Sequence, residues 1–301
     1  MPGEFAFIHW LRQQQTASSA VPVPAGDDLA VLRWTDADLL LVGVDQVLDG
    51  VHFDSTVHSP GDIGRKVMNR NLSDCAAMAC LPAGAVVSVA LPQGCGDEYA
   101  KELYLGIKAA GEVFDCPIVG GDTGSWAGKL AVTVTILGRS AGIAPVTRKG
   151  AKVGDGLYVS GPLGGSILGR HMTFTPRVEL ARKLATGEDI HAMIDLSDGL
   201  SRDAGHIAAE SGVGLVIEAA TVPVHDDART LSQRDGVAPI DHALHDGEDH
   251  ELLAVLPPEA EAMALDLGMI RIGKVIEGQG VWLDHGGQRT AMPVRGWEHR
   301  L

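Results

Sequence analysis

Acidic residues beside glycine, or at the ends of short apolar runs, constrain this chain more than any other feature. They stand in Gly26-Asp27-Asp28, Val44-Asp45, Ser73-Asp74, Gly120-Gly121-Asp122, Asp195-Leu196-Ser197-Asp198-Gly199 and Asp246-Gly247-Glu248-Asp249. A solvated helix face would not put its acids there; glycine-flanked acids belong to loops and strand ends. The apolar runs, such as residues 39–42 and 85–87, fall far below the ~18 residues that cross a bilayer. A single Asp-Gly step is most simply a turn. Six acidic segments in one chain, several directly after an apolar strand, point to a shared chemical purpose. Hard divalent cations need such oxygen ligands, and Mg²⁺ typically shares a few carboxylates with substrate phosphates.

The chain has 301 residues, enough for two domains that each bury a core. Its 24 basic and 39 acidic side chains give a net charge of −15, which repels nucleic acid and anionic membranes. Glycine is abundant, at 38 residues, against a usual ~7%, as expected where backbone turns sharply or approaches a ligand. Four cysteines without a Cys-x-x-Cys pair fit a reducing cytoplasm. Phe5, Ile8 and Leu11 have helical spacing with no basic-then-apolar leader, so neither a signal nor a transit peptide is expected.

The periodicity predicts strands at 29–34 and 39–44 joined in a hairpin, a helix at 61–78, a strand at 83–91, a helix at 97–114 and a strand at 130–137. A turn-rich stretch from Lys149 to Gly156 sets a boundary, giving domains 1–148 and 149–301. The second unit is expected to hold a Gly-rich loop at 161–165 and helices near 176–186 and 199–211. Its strands are expected to end at Asp195 and to lie near 157–160, 213–218, 251–256, 270–276 and 280–284. The fold class is α/β (α+β) with two domains.

Familiar nucleotide motifs are missing. Gly124 to Leu130 is one residue short of a P-loop and lacks its Ser or Thr, and reads as a hairpin turn. Gly212-Val213-Gly214 lacks the third glycine of a dinucleotide fingerprint, and no kinase-type catalytic loop occurs. His242, His245 and His250 lie in what reads as a turn-rich acidic loop, without zinc-site order. His52, just after the Asp45 strand end, is either a phosphate contact or a surface hairpin histidine. Arg148 either neutralises a phosphate or is a surface charge.

The order of motifs resembles the thiamine-monophosphate kinase family of the aminoimidazole ribonucleotide synthetase superfamily. The matching segments are Gly3-Glu-Phe-x-x-Ile, Gly26-Asp-Asp, Val44-Asp-x-x-x-x-Gly-Val-His52-Phe, Asn71-Leu-Ser-Asp74-x-Ala-Ala-Met, Gly120-Gly-Asp122-Thr, Ile194-Asp-Leu-Ser-Asp-Gly-Leu200 and Gly247-Glu-Asp-x-Glu-Leu252. The resemblance implies direct in-line transfer of phosphoryl from ATP to thiamine monophosphate, with several Mg²⁺ ions, in a cytoplasmic homodimer whose N-terminal sheets pair into a barrel. It implies no nucleic-acid or membrane partner. By position it makes Asp28, Asp45, Asp74, Asp122, Asp195 and Asp198 metal ligands, with Asp122 and Asp198 catalytic. Tyr104, Gly121, Asp122, Arg148 and Ser197 become ATP contacts, and His52, Glu248 and Trp297 thiamine-monophosphate contacts.

Two departures from the family pattern stand out. Only about ten residues separate the Gly-rich loop from Pro176-Arg177, where relatives have a longer helical stretch, and Gly43-Val44 replaces frequent hydroxyl residues before Asp45. The alternatives are another ATP-using member of the superfamily, of aminoimidazole ribonucleotide or selenophosphate synthetase type, and an inactive nucleotide-binding relative.

Overall fold

Residues 131–139 alternate inward Val132, Val134 and Ile136 with half-exposed threonines, the period-2 pattern of a strand with one face on a core. In the computed structural model this strand lies at the centre of the first of two sheets. The structure describes residues 12–13, 18–24, 26–35, 38–187, 190–293 and 295–297; the expected N-terminal helix of Phe5, Ile8 and Leu11 lies outside them. Strands β1 (Ala30–Arg33), β2 (Leu39–Leu48), β3 (Leu81–Pro92), β4 (Ile118–Trp126) and β5 (Ala131–Arg139) form the first sheet. Their order is β1-β2-β5-β3-β4, with only β3 and β4 parallel. The β1–β2 pair is antiparallel as expected, but Gly124 to Leu130 is not a hairpin turn. Gly124–Trp126 ends β4, and the chain then passes β3 to reach β5.

Two helices cover one face of this sheet, α1 (Pro60–Ala77) and α2 (Asp97–Glu112). Ser59 caps α1 by accepting from the Asp62 N–H, with Pro60 in its first turn. The helices pack backbone to backbone: a Cβ on Gly106 would stand 2.1 Å from the Gly61 carbonyl oxygen. The opposite face stays open, with Val44 63% and Val86 37% exposed.

The second sheet contains β6 (Gly156–Val159), β7 (Ala192–Asp195), β8 (Gly214–Glu218), β9 (Leu252–Leu256), β10 (Ile270–Ile276), β11 (Gly280–His285) and β12 (Gln288–Ala291), in the order β12-β11-β8-β10-β6-β9-β7. Between β6 and β7 come α3 (Arg170–Thr173) and α4 (Val178–Gly187); α5 (Leu200–Ser211) precedes β8; α6 (Asp226–Asp235) and α7 (Pro239–His245) precede β9; α8 (Glu261–Asp266) precedes β10. β6, β7 and β9 are buried throughout. Along β9, Leu253 and Val255 join the core with α5 and α7, while Leu252, Ala254 and Leu256 join the core with α4 and α8. Helix α1 packs against both sheets, touching β2 and β5 on one side and α4 and β7 on the other. It therefore lines the seam where the site forms.

Candidate active site

Lys66, Arg70 and Asp74 stand one turn apart on α1, with Ser73 beside Asp74, so they share the flank that faces the seam. The fully buried Lys66 Nζ donates to the His52 carbonyl at 2.6 Å and to Glu248 Oε2 at 2.8 Å. Burial pulls its ammonium down to about 8 against the opposing pull of Glu248. Arg70 donates through Nε to Asp45 Oδ2 at 2.6 Å and through Nη1 to Glu248 Oε1 at 2.9 Å. Burial alone would raise the Glu248 carboxyl, but Lys66 and Arg70 outweigh it and hold it below the usual range. Glu248 and His250 sit at φ 61° and 50°, left-handed backbone that costs a non-glycine residue energy and clusters at functional sites. The Glu248 N–H donates to the Ser197 carbonyl at 2.7 Å and the His250 N–H to that of Leu196 at 2.8 Å, locking the two acidic loops together.

Next to this network, Asp28, Asp74 and Asp195 arrive from a loop, a helix and a strand end, and bring one oxygen each within 4.8 Å of one another. Arg148 donates to Asp28 at 2.7 and 3.3 Å; Ser73 donates to Asp195 at 2.6 Å, with His250 Nδ1 at 3.3 Å. Burial pushes Asp28 up to about 6, with Arg148 opposing and Asp195 adding repulsion. Burial and then repulsion from Asp195, Asp45 and Asp28 push Asp74 well above the usual range. For Asp195 burial is outweighed by His250 and Ser73, and its carboxyl stays low. Three clustered carboxylates, Asp195 buried and Asp28 and Asp74 partly so, with one guanidinium bonded to them, leave surplus negative charge, the environment a hard divalent cation fits. Asp198, Asp203 and His206 make a second such group. Burial holds His206 down to about 4, so its imidazole is neutral.

Asp45, His52, Arg70, Ser197, Glu248 and Trp297 line a cleft of about 560 Å³, together with Asp198. His52 is not a surface residue: it is buried, and its Nδ1 accepts the Leu48 N–H at 3.0 Å, which leaves the hydrogen of the neutral ring on Nε2. Trp297 is half exposed and its backbone N–H donates to the Asp198 carbonyl at 3.2 Å. Ser166 and Ile167, from the shortened connection, form another wall. Ser166 Oγ donates to the Gly247 carbonyl at 2.8 Å, and Arg170 donates to Asp249 at 3.1 Å, so the shorter segment is tied to the acidic loop. Val44 is exposed on the open face of the sheet, away from Asp45 and this cleft.

Arg148 is likewise no surface charge; it binds Asp28 and lines an adjoining cleft with Ser197, Asp198, Asp203 and His206. Tyr104, Gly121 and Asp122 gather elsewhere, in a groove of about 490 Å³ between α2 and the β3–β4 edge. A Cβ at Gly121 would meet the Val87 carbonyl at 2.1 Å, so strand packing itself demands this glycine. Across the sheet Asp45 aligns with Val134, Val87 and Gly121. That separation is three strand spacings, about 14 Å, and within one chain Asp122 does not join the other carboxylates. His242 and His245 lie on α7 and not in a loop. His242 pairs with Asp246 and Asp235, His245 with Ser201. The sequence reading missed Lys66, Arg70, Asp203 and His206. The first two carried a signal, a basic pair four apart on the helix that also bears Asp74.

Two family models match the chain: AIR synthase related protein, N-terminal domain, over residues 26–140, and its C-terminal domain over residues 151–285. The thiamine-monophosphate kinase of Rhodopirellula baltica is 41% identical over 93% of this chain and 91% of its own length. That of Aquifex aeolicus is 33% identical over 99% and 98%. A solved structure of AaThiL complexed with AMPPCP and TMP superposes with a TM-score of 0.87 at 31% identity, covering 99% of this chain and 97% of that one. The hydrogenase maturation protein HypE, at 21% identity and a TM-score of 0.75 over 97% of this chain and 98% of its own, shares the fold. With these matches spanning both sheets and every acidic segment of the site, the chain belongs to the AIR synthase related family, among its thiamine-monophosphate kinases.

Proposed function

We propose that the protein transfers the γ-phosphoryl group of ATP to thiamine monophosphate, giving thiamine diphosphate and ADP. The carrying observation is the convergence of Asp28, Asp74 and Asp195 within 4.8 Å beside a cleft that holds an imidazole, a guanidinium, a carboxylate and an indole. The acceptor is a phosphate monoester, largely dianionic at neutral pH, so it attacks without a strong general base. An acceptor oxygen forms the new P–O bond as the bond to the ADP oxygen breaks, and the electron pair leaves with ADP. Positioning and charge neutralisation carry the reaction. Bound Mg²⁺ supplies that neutralisation and screens the two anions from each other.

Asp28, Asp45, Asp74, Asp195 and Asp198 are the residues that would hold the metal. Arg148 fixes Asp28, and Ser73 and His250 orient Asp195. His52, Glu248 and Trp297 are assigned to thiamine monophosphate, and Tyr104, Gly121, Arg148 and Ser197 to ATP.

The working unit in this reading is a homodimer. The exposed Val44 and Val86 on the open sheet face support pairing of two N-terminal sheets, with 1–148 as the dimerising unit and 149–301 completing the site. Asp122, about 14 Å along the sheet from Asp45, then serves the site of the second copy. The test incubates purified protein with ATP, Mg²⁺ and, in parallel, thiamine monophosphate, thiamine or an aminoimidazole precursor. Thiamine diphosphate is expected from the first alone. ADP formed only with the aminoimidazole precursor would assign the chain to the other activity, and no turnover with any acceptor would mark an inactive relative.

A further inference from the structure

Among the described residues, Arg70 is the one arginine or lysine that lines the cleft, and it bridges Asp45 and Glu248. Its Nε holds Asp45, assigned to metal, and its Nη1 holds Glu248, assigned to thiamine monophosphate. The guanidinium therefore stands between a metal residue and a substrate residue, which in the proposed reaction is where the acceptor's phosphate meets the metal. The side chain is 14% exposed and lines the cleft. Neither of these bonds uses Nη2. Its two N–H donors lie in the fixed guanidinium plane, on a side chain that reaches the cleft. Burial works against the charge of Arg70, but Asp45 and Glu248 outweigh it and keep it a permanent cation. Lys66, the other cation of the network, is fully buried with its ammonium turned to His52 and Glu248, so it cannot take this part.

We propose that Arg70 is the phosphate-binding residue of the acceptor subsite, its Nη2 donating to a non-transferring oxygen of the thiamine monophosphate phosphate while Nε and Nη1 keep Asp45 and Glu248 in place. This rests on the proposed function, since it names the group that reads the acceptor's phosphate. Arginine suits the task because its planar fork pairs with carboxylate and phosphate at once.

The test is calorimetric titration of wild type, Arg70→Met and Arg70→Lys with thiamine monophosphate and with thiamine, at saturating Mg²⁺ and without nucleotide. Thiamine carries the same rings without phosphate, so the ratio of the two affinities isolates the phosphate contact from any disturbance of Glu248. Wild type is expected to favour the monophosphate, and Arg70→Met to lose about ten- to a hundredfold of that preference. Arg70→Lys should recover part of it, with all three proteins melting cooperatively. An unchanged preference in Arg70→Met would overturn the proposal and leave Arg70 as a structural pin between two carboxylates, with the kinase reading intact. A wild type that fails to bind thiamine monophosphate would remove the proposed function and this inference together.

Discussion

Among the described residues no cation forms an ion pair with Asp74, although Arg70 one turn away draws its carboxyl down, and Asp74 faces Asp28 and Asp195 at close range. Replacing it by Asn removes a repelling charge, so metal-free Asp74→Asn should melt about 2–4 °C higher, the shift that 1 kcal/mol gives in a chain of a few hundred residues. Its turnover should fall at least about a hundredfold. The pH dependence has a definite sign. Asp28 binds its proton more tightly when folded, at about 6 against 3.8, so it subtracts stability as pH rises through that window. Mg²⁺ competes with that proton, and the rise in Tm on adding Mg²⁺ should be larger at pH 7.5 than at pH 5; an equal rise would detach Asp28 from the metal. Trp297→Ala should raise the KM for thiamine monophosphate several-fold with kcat nearly unchanged, the mark of lost uniform binding. The carboxylates were legible because six acidic segments stand beside glycine or at the ends of apolar runs in one chain, although any one of them alone reads as a turn. Lys66 and Arg70 were not, since basic residues four apart on a helix look like any solvated pair until Asp74 is seen on the same flank.

At the scale of elements, α1 holds the site together. It presents Lys66, Arg70, Ser73 and Asp74 to the seam, and its depth is set by contact with α2. Gly106→Ala would drive a Cβ into the Gly61 carbonyl and should cost about 1–3 kcal/mol. Urea unfolding reads that cost, and an unchanged midpoint would mean the helices part freely. Helices α1 and α2 were readable from their apolar spacing. Strand β4 was not: Ile118–Trp126 contains three glycines and is exposed along nearly its whole length, so neither alternation nor strand propensity marked it. Short α6, α7 and α8 escaped for a related reason, since six to ten residues give periodicity little to repeat.

For the whole molecule, the two-unit architecture was visible as alternating strand and helix patterns, whereas the order of strands depended on pairings that no local pattern encodes. The separation of Asp122 from Asp45 emerges only from that order. It makes a sharp prediction for the proposed dimer. Asp74→Asn and Asp122→Asn should each be inactive, yet an equimolar co-assembled mixture should recover up to about a quarter of wild-type activity, because hybrids are half of the dimers and one of two sites in each keeps both aspartates. Recovery absent from demonstrated hybrids would mean that each chain completes its own site.

The destination of the γ-phosphoryl group is followed directly by ³¹P NMR of ATP, Mg²⁺, thiamine monophosphate and the purified protein in one tube. The signals of thiamine diphosphate should grow in step with those of ADP as the γ-phosphate signal of ATP declines, without free phosphate. Release of inorganic phosphate with thiamine monophosphate left unchanged would contradict the account.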